Sequence, residues 1–199
     1  MTLANRIRIR DVKTLSDDWF LLKKTTFDFH RRDGTWQTVS RETYDRGNGA
    51  TILLYDPDRR TVILTRQFRF PVFVNGCHDL LIEAPAGLLD QASAEAAIRR
   101  ETEEETGYRI RDVVKIFEAY MSPGSVTEKL FFFLGRYAPA DRIAPGGGSA
   151  AEGEDIEVLE FDIDEALAMI RDGVIQDGKT IMLLQHAALS VLPALTSNR

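Results

Sequence analysis

Polar and apolar residues alternate along the first part of the chain. Ile7 and Ile9 sit between arginines, a run from Trp19 to Phe29 follows, and another from Trp36 to Tyr44 comes after a turn at Asp33-Gly34. A period of two sends successive side chains to opposite faces of a strand, so the region reads as three strands. So short a sheet buries itself poorly, and residues 1-45 are expected to pack on the rest of the chain or on a second subunit. The glycine-rich hinge Arg46-Gly47-Asn48-Gly49 leads into two apolar strands, Ala50 to Tyr55 and Thr61 to Arg66, joined by the turn signal Asp56-Pro57-Asp58. Leu80 to Ala84 is a further apolar stretch, running into a turn at Pro85-Ala86-Gly87. Ala94 to Thr106 reads as a helix capped by Ser93 and ended by Gly107. Strands at Val114 to Tyr120, Lys129 to Tyr137 and Glu157 to Phe161, then helices near Asp164 to Arg171 and Thr180 to Leu192, complete the pattern of an α/β layer fold. The prolines and glycines between Ala138 and Gly153 predict an exposed, mobile loop that ends in acid.

Composition narrows the functional classes. The 199 residues are 44% hydrophobic, enough for one well-packed domain with a small appendage. A formal charge of -6 argues against sequence-independent nucleic-acid binding, which needs a basic surface to displace phosphate counterions. A small anionic ligand remains compatible if arginines gather locally. Cys77 is the single cysteine, which excludes an internal disulfide and fits a reducing compartment such as the cytoplasm. No apolar run approaches the length of a membrane span, and no targeting segment is recognised. His30, His78 and His186 lack metal-ligand spacing and read as structural or surface residues.

The helix ending at Gly107 carries the most informative chemistry. Glu101, Glu104 and Glu105 stand at i, i+3 and i+4, which puts three like charges on one face. Their place in the last turn also opposes the helix dipole. Two readings fit: a solvated charged face, or a cation site. Arg99 can reach Glu103 and Arg100 can reach Glu104 at i+4, which favours the first. Glu101 and Glu105 have Ala97 and Glu101 at that spacing, and Arg109 lies beyond the glycine, which leaves them without a basic neighbour. Oxygen donors alone suit Mg²⁺ or Mn²⁺.

These residues resemble a known family. Gly87 followed by Arg100-Glu101-Thr102-Glu103-Glu104-Glu105-Thr106-Gly107-Tyr108 is similar to the Nudix box. The second half matches closely. The first half departs, because the spacing from Gly87 to Arg100 is one residue short and Ser93 stands where the first glutamate of the box would fall. Further stretches resemble the GDP-mannose pyrophosphatase branch, a relative of the ADP-ribose pyrophosphatases. They are Arg41 to Ala50, Arg66-Gln67-Phe68-Arg69, Ala86-Gly87-Leu88-Leu89-Asp90, Tyr120 to Gly124 with Thr127-Glu128, Glu154 to Glu160, and Asp177-Gly178-Lys179-Thr180. Pro123 resembles the proline that marks members hydrolysing nucleotide sugars.

The resemblance implies an α/β/α sandwich with a mixed sheet over residues 46-199, and a small antiparallel sheet in 1-45 that crosses to the partner of a homodimer. It implies Glu101 and Glu105 as central metal ligands, Glu104 as an additional ligand or catalytic acid, and the Ala86 carbonyl as a backbone ligand, with Mg²⁺ as cofactor and Mn²⁺ as a substitute. Glu152 and Glu154 are candidates for the general base, Glu154 also for a metal contact. Arg69 is the candidate phosphate clamp, since a guanidinium offers a fixed fork of donors. Lys179 and Glu128 are candidate substrate contacts, and Trp19 and Arg41 would help hold the nucleotide. The expected reaction is metal-dependent hydrolysis of GDP-mannose to GMP and mannose 1-phosphate. ADP-ribose is the alternative substrate. A non-cleaving nucleotide-sugar sensor and a structural or interaction module are the alternatives of other classes.

Overall fold

The computed structural model describes residues 2–89 and 93–192, so Asp90, within one of the stretches quoted above, lies outside them. The chain divides into two compact units, one built from the residues up to Asn48 with Ala119–Leu130, the other from Gly49–Glu118 and the chain from Phe131 onward.

In the first unit, β1 (Ile7–Asp17), β2 (Leu21–His30) and β3 (Trp36–Asp45) form an antiparallel sheet in that order. Ile7 lies opposite Phe29, Ile9 opposite Phe27, and Phe27 opposite Val39, so the alternation in sequence becomes one apolar face. On the other face Asp28 is buried, accepting from Arg10 Nε at 2.6 Å and from Thr38 Oγ1 at 2.7 Å. Every residue of β1 is exposed. Trp19, read above as the start of a strand, precedes β2 and is 83% exposed. Residues from Ser125 to Thr127 run beside Tyr44, whose N–H donates to the Ser125 carbonyl at 2.8 Å.

The remaining elements are organised around a seven-stranded sheet. They are β4 (Gly49–Asp56), β5 (Thr61–Gln67), α1 (Phe70–Val74), β6 (Leu81–Glu83), β7 (Ala86–Leu88), α2 (Ala94–Thr106), β8 (Val113–Tyr120), β9 (Lys129–Arg136), β10 (Glu157–Asp162), α3 (Ile163–Arg171) and α4 (Gly178–Ser190). The order is β10-β5-β4-β9-β8, with β6 paired to β5 and β7 to β4. Ala50, Ile52 and Leu54 of β4 join Ile98 of α2, Ile63 and Phe133 in one buried cluster. Thr51 and Leu53 point the other way and are equally buried, and α4 packs against the same strand with Leu183, Leu184 and Ala187 inside. Both faces of the sheet are therefore covered, which is why β4 reads as a continuous apolar run rather than an alternation. Each fully buried Ile or Leu contributes about 1.5–3 kcal/mol. Among the described residues no helix is long and apolar enough to cross a membrane.

Two elements depart from the sequence reading. Phe70–Val74 forms a short helix that the sequence did not suggest, and Ala86–Leu88 is a strand paired with β4 rather than a turn. Gly87 misled because a glycine in an extended strand looks like a turn signal, while its role here is to make room.

Candidate active site

Helix α2 begins where expected. The Ser93 hydroxyl accepts the Ala96 N–H at 3.2 Å, and Gly107 closes the helix in the left-handed region at φ 76°. Its carboxyl end needs more help, because last-turn carbonyls lack partners and the acids there compound the negative potential. The glycine-rich segment supplies that help. Gly147 donates to the Glu105 carbonyl at 2.9 Å, Gly148 to the Glu104 carbonyl at 3.2 Å, and Ile143 to the Gly107 carbonyl at 2.8 Å. A side chain on Gly146 would strike the backbone of Glu105 and Thr106. The segment read as an exposed, mobile loop is thus laid against the helix, its glycines serving close approach rather than flexibility. That docking delivers Glu154, whose Oε2 accepts the Ser149 N–H at 2.9 Å. Glu152 is exposed on the short turn before it.

The partners of the helix acids differ from those expected by spacing. Arg99 pairs with Glu95 at 2.8 Å rather than with Glu103. Glu103 is taken by Arg109 at 2.7 Å, since the chain reverses at Gly107 and brings that arginine back. Arg100 bonds Glu101 at 3.0 Å, so the expectation that Glu101 lacks a basic neighbour is overturned. Glu104 is exposed. For Glu105 the expectation stands in another form, for this residue is only 2% exposed and its Oε2 receives the Ala86 N–H at 3.3 Å. Burial raises its carboxyl first, then Glu83 and Glu154, with Arg69 pulling down and Glu101 pushing up, and the result is a value of about 8. Burial also raises Glu101, opposed by Arg100 and assisted by Glu104 and Glu154. Gly87 lies against Glu101, where a Cβ would overlap its Cγ and Cδ.

Sequence reasoning missed Glu83, the last residue of β6. It is buried, with Oε1 accepting from Arg69 Nε at 2.7 Å and Oε2 from Lys179 Nζ at 2.5 Å. Lys179 also lies 3.0 Å from Asp177. Burial lowers the guanidinium of Arg69, but Glu83, Glu105 and Glu154 outweigh it and hold the group above its ordinary value. Lys179 behaves likewise, lowered by burial and raised further by Glu83 and Asp177. This lysine is therefore paired with two acids rather than plainly solvated. The missed signal was an acid inside the apolar stretch Leu80 to Ala84, because a charge there must be paired or functional.

Comparison with known proteins fits this geometry. Residues 45–184 match the NUDIX domain. The chain belongs to the Nudix family. Residues 6–44 match the GDP-mannose pyrophosphatase NudK N-terminal domain. A GDP-mannose pyrophosphatase of Pectobacterium atrosepticum is 55% identical over 94% of this chain and 96% of its own. One from Klebsiella pneumoniae is 50% identical over 99% of both chains. A crystal structure of an ADP compounds hydrolase superposes with a TM-score of 0.70 at 17% identity, covering 90% of this chain and 91% of that one, which shows the shared Nudix fold.

Within the Nudix box, Ser93 acts as the helix cap, and Glu95 is committed to Arg99. Nudix hydrolases generally use divalent metal ions. The donor set here fits such an ion by chemistry. Glu101, Glu105 and Glu154 offer hard oxygens, and the Glu105 carboxyl is raised by burial first and by the neighbouring acids after it. Among the described residues no three His, Cys, Asp or Glu side chains converge as tightly as an ion would hold them, with Glu101 drawn to Arg100 and Glu105 to the Ala86 amide.

The remaining candidates lie in the first unit. Arg41 is exposed with Nη1 on the Ser40 carbonyl, Trp19 stands edge-on to Phe20 at 6.1 Å, and Glu128 lies 3.5 Å from Arg46. Each histidine packs on an aromatic ring: His30 on Trp36, His78 on Phe73 and His186 on Phe117.

Proposed function

We propose that this chain hydrolyses the pyrophosphate bond of GDP-mannose, water adding across it to give GMP and mannose 1-phosphate, with Mg²⁺ as the working ion and Mn²⁺ as a substitute. The observation that carries the reading is the buried Glu105, raised to about 8 by burial first and then by Glu83, Glu154 and Glu101, with the guanidinium of Arg69 opposing them. Such an excess of carboxylate is costly unless a cation arrives. Oxygen donors without sulfur or imidazole favour Mg²⁺ or Mn²⁺ over softer ions. When bound, the ions would stabilise charge on the departing phosphate and make the attacking water more acidic. In this proposal Glu101 and Glu105 are the central ligands, with the Ala86 carbonyl and Glu104 beside them, and Glu154 takes the proton of the attacking water. Arg69 binds phosphate oxygens, and Trp19, Arg41 and Glu128 serve the nucleotide and sugar.

The chain is proposed to act as a homodimer in the cytoplasm. The fully exposed β1, with Ile7, Ile9 and Val12 outward, supports a partner for residues 1-45, and light scattering tests it. For the substrate, GDP-mannose, GDP-glucose, ADP-ribose and FAD are compared with Mg²⁺ present. GDP-mannose is expected to give the highest kcat/KM, and a strong preference for ADP-ribose would overturn the choice.

A further inference from the structure

Helix α2 and the loop behind it supply every acid of the cluster except Glu83, which comes from the sheet. Its surroundings are rigid. Thr65 lies opposite in β5 and donates its hydroxyl to the Glu83 carbonyl at 3.0 Å. The next amide, Ala84 N–H, donates to Thr180 Oγ1 at 2.6 Å, and that hydroxyl donates to Asp177. A carboxylate fixed at both flanks and only 2% exposed has almost no freedom to swing.

Glu83 divides its two oxygens, one to Arg69 and one to Lys179. Arg69 is held through Nε alone. Among the described residues its two terminal amino groups make no hydrogen bond, and the guanidinium feels both Glu105 and Glu154. A guanidinium anchored at Nε presents its outer edge as a fixed pair of donors, the geometry that phosphate oxygens accept.

We propose that Glu83 is a positioning residue for phosphate binding, acting through Arg69, and that Lys179 neutralises its second oxygen. The proposal rests on the pyrophosphatase reading above. A glutamine at this position has one acceptor oxygen for two donors, so it cannot serve both cations, while Lys179 keeps Asp177 as a partner.

The test compares Glu83→Gln, Arg69→Ala and the double variant on GDP-mannose with Mg²⁺. Glu83→Gln is expected to raise KM about tenfold with kcat little changed. The double variant is expected to bind no worse than Arg69→Ala alone, since the two residues act as one unit. Additive losses would overturn the proposal, because a residue that merely braces the fold adds its damage to that of Arg69→Ala. Should Glu83→Gln fail to fold, Glu83→Asp gives the same reading, keeping the charge while drawing the carboxylate back from Arg69. An active wild type with an unchanged KM in the variant sinks the positioning role alone. A wild type inert on GDP-mannose sinks the substrate reading with it.

Discussion

Two polar networks flank the same sheet and treat their acids in opposite ways. At the β5–β10 edge, Glu160 accepts both terminal nitrogens of Arg59, at 2.6 and 2.8 Å, and the Tyr137 hydroxyl at 2.6 Å. Those bonds hold its carboxyl below the ordinary range. At the end of β6, Glu83 is similarly matched, but Glu105 beside it is buried with no ion pair of its own among the described residues, and burial with the neighbouring carboxylates outweighs Arg69 and drives it up to about 8. The first network satisfies itself and acts as a brace. The second is left incomplete by its own residues, and that incompleteness is the ground on which a cation is proposed to bind there.

The largest break in this contrast comes from removing the unsatisfied acids. Glu105→Gln and Glu101→Gln are each expected to lower kcat/KM on GDP-mannose by roughly a hundredfold or more with the fold intact. Glu160→Gln should leave the rate near that of the wild type. Equal losses from both networks would erase the distinction.

The pH dependence of stability separates them next. Glu105 has a folded value of about 8 against an ordinary 4.5, so between those values the folded chain holds a proton the unfolded chain has lost. Stability of the metal-free protein must therefore fall as pH rises through that window, by up to a few kcal/mol. Glu160 has the opposite sign, contributing stability at neutral pH that is lost on acidification. Thermal melts in chelator from about pH 6 to about pH 8 should show the decline. Glu105→Gln should flatten it and raise the melting temperature at the alkaline end, and added Mg²⁺ should do the same for the wild type. A wild type that grows more stable with alkalinity in chelator would refute the assignment.

The contrast also explains what was legible in the sequence. Helix α2 could be read with its Ser93 cap and Gly107 stop because capping is a local property, carried by adjacent residues. Strands β4 and β5 were legible as apolar runs for the same reason. Partner choice was not legible. Spacing assigned Arg99 to Glu103, but the reversal at Gly107 returned Arg109 to Glu103 and freed Arg99 for Glu95. Glu83 and Lys179 are 96 positions apart, a pairing that no local pattern announces. The glycines at 146–148 were misread because composition cannot tell a glycine chosen for freedom from one chosen for contact, and only the carbonyls of Glu104 and Glu105 reveal which applies.

A smaller effect sharpens the role of Gly87. Its φ is ordinary, so alanine is no strain on the backbone, yet a Cβ there overlaps the side chain of Glu101. Gly87→Ala should therefore move that carboxylate and cut kcat/KM about tenfold or more while the melting temperature shifts little. A large loss of stability with a normal rate would mean that the glycine serves the β4–β7 pairing instead.

The smallest expected effect tests the satisfied network. The Tyr137 hydroxyl is shared between Thr61 Oγ1, at 2.6 Å, and Glu160. Burial and the neighbouring carboxylate both raise the phenol, so it stays protonated and donates to Glu160. Tyr137→Phe keeps the ring against Tyr108, 5.2 Å between centroids, and removes only the hydroxyl. Glu160 retains both bonds from Arg59, so the cost should be about 1 kcal/mol, the ordinary net value of one hydrogen bond, with kcat/KM unchanged. Denaturant melts at neutral pH measure it. A rate loss comparable to that of Gly87→Ala would mean that the brace at the β5–β10 edge is coupled to the acids of α2, and the division between a self-satisfied and an incomplete network would not hold.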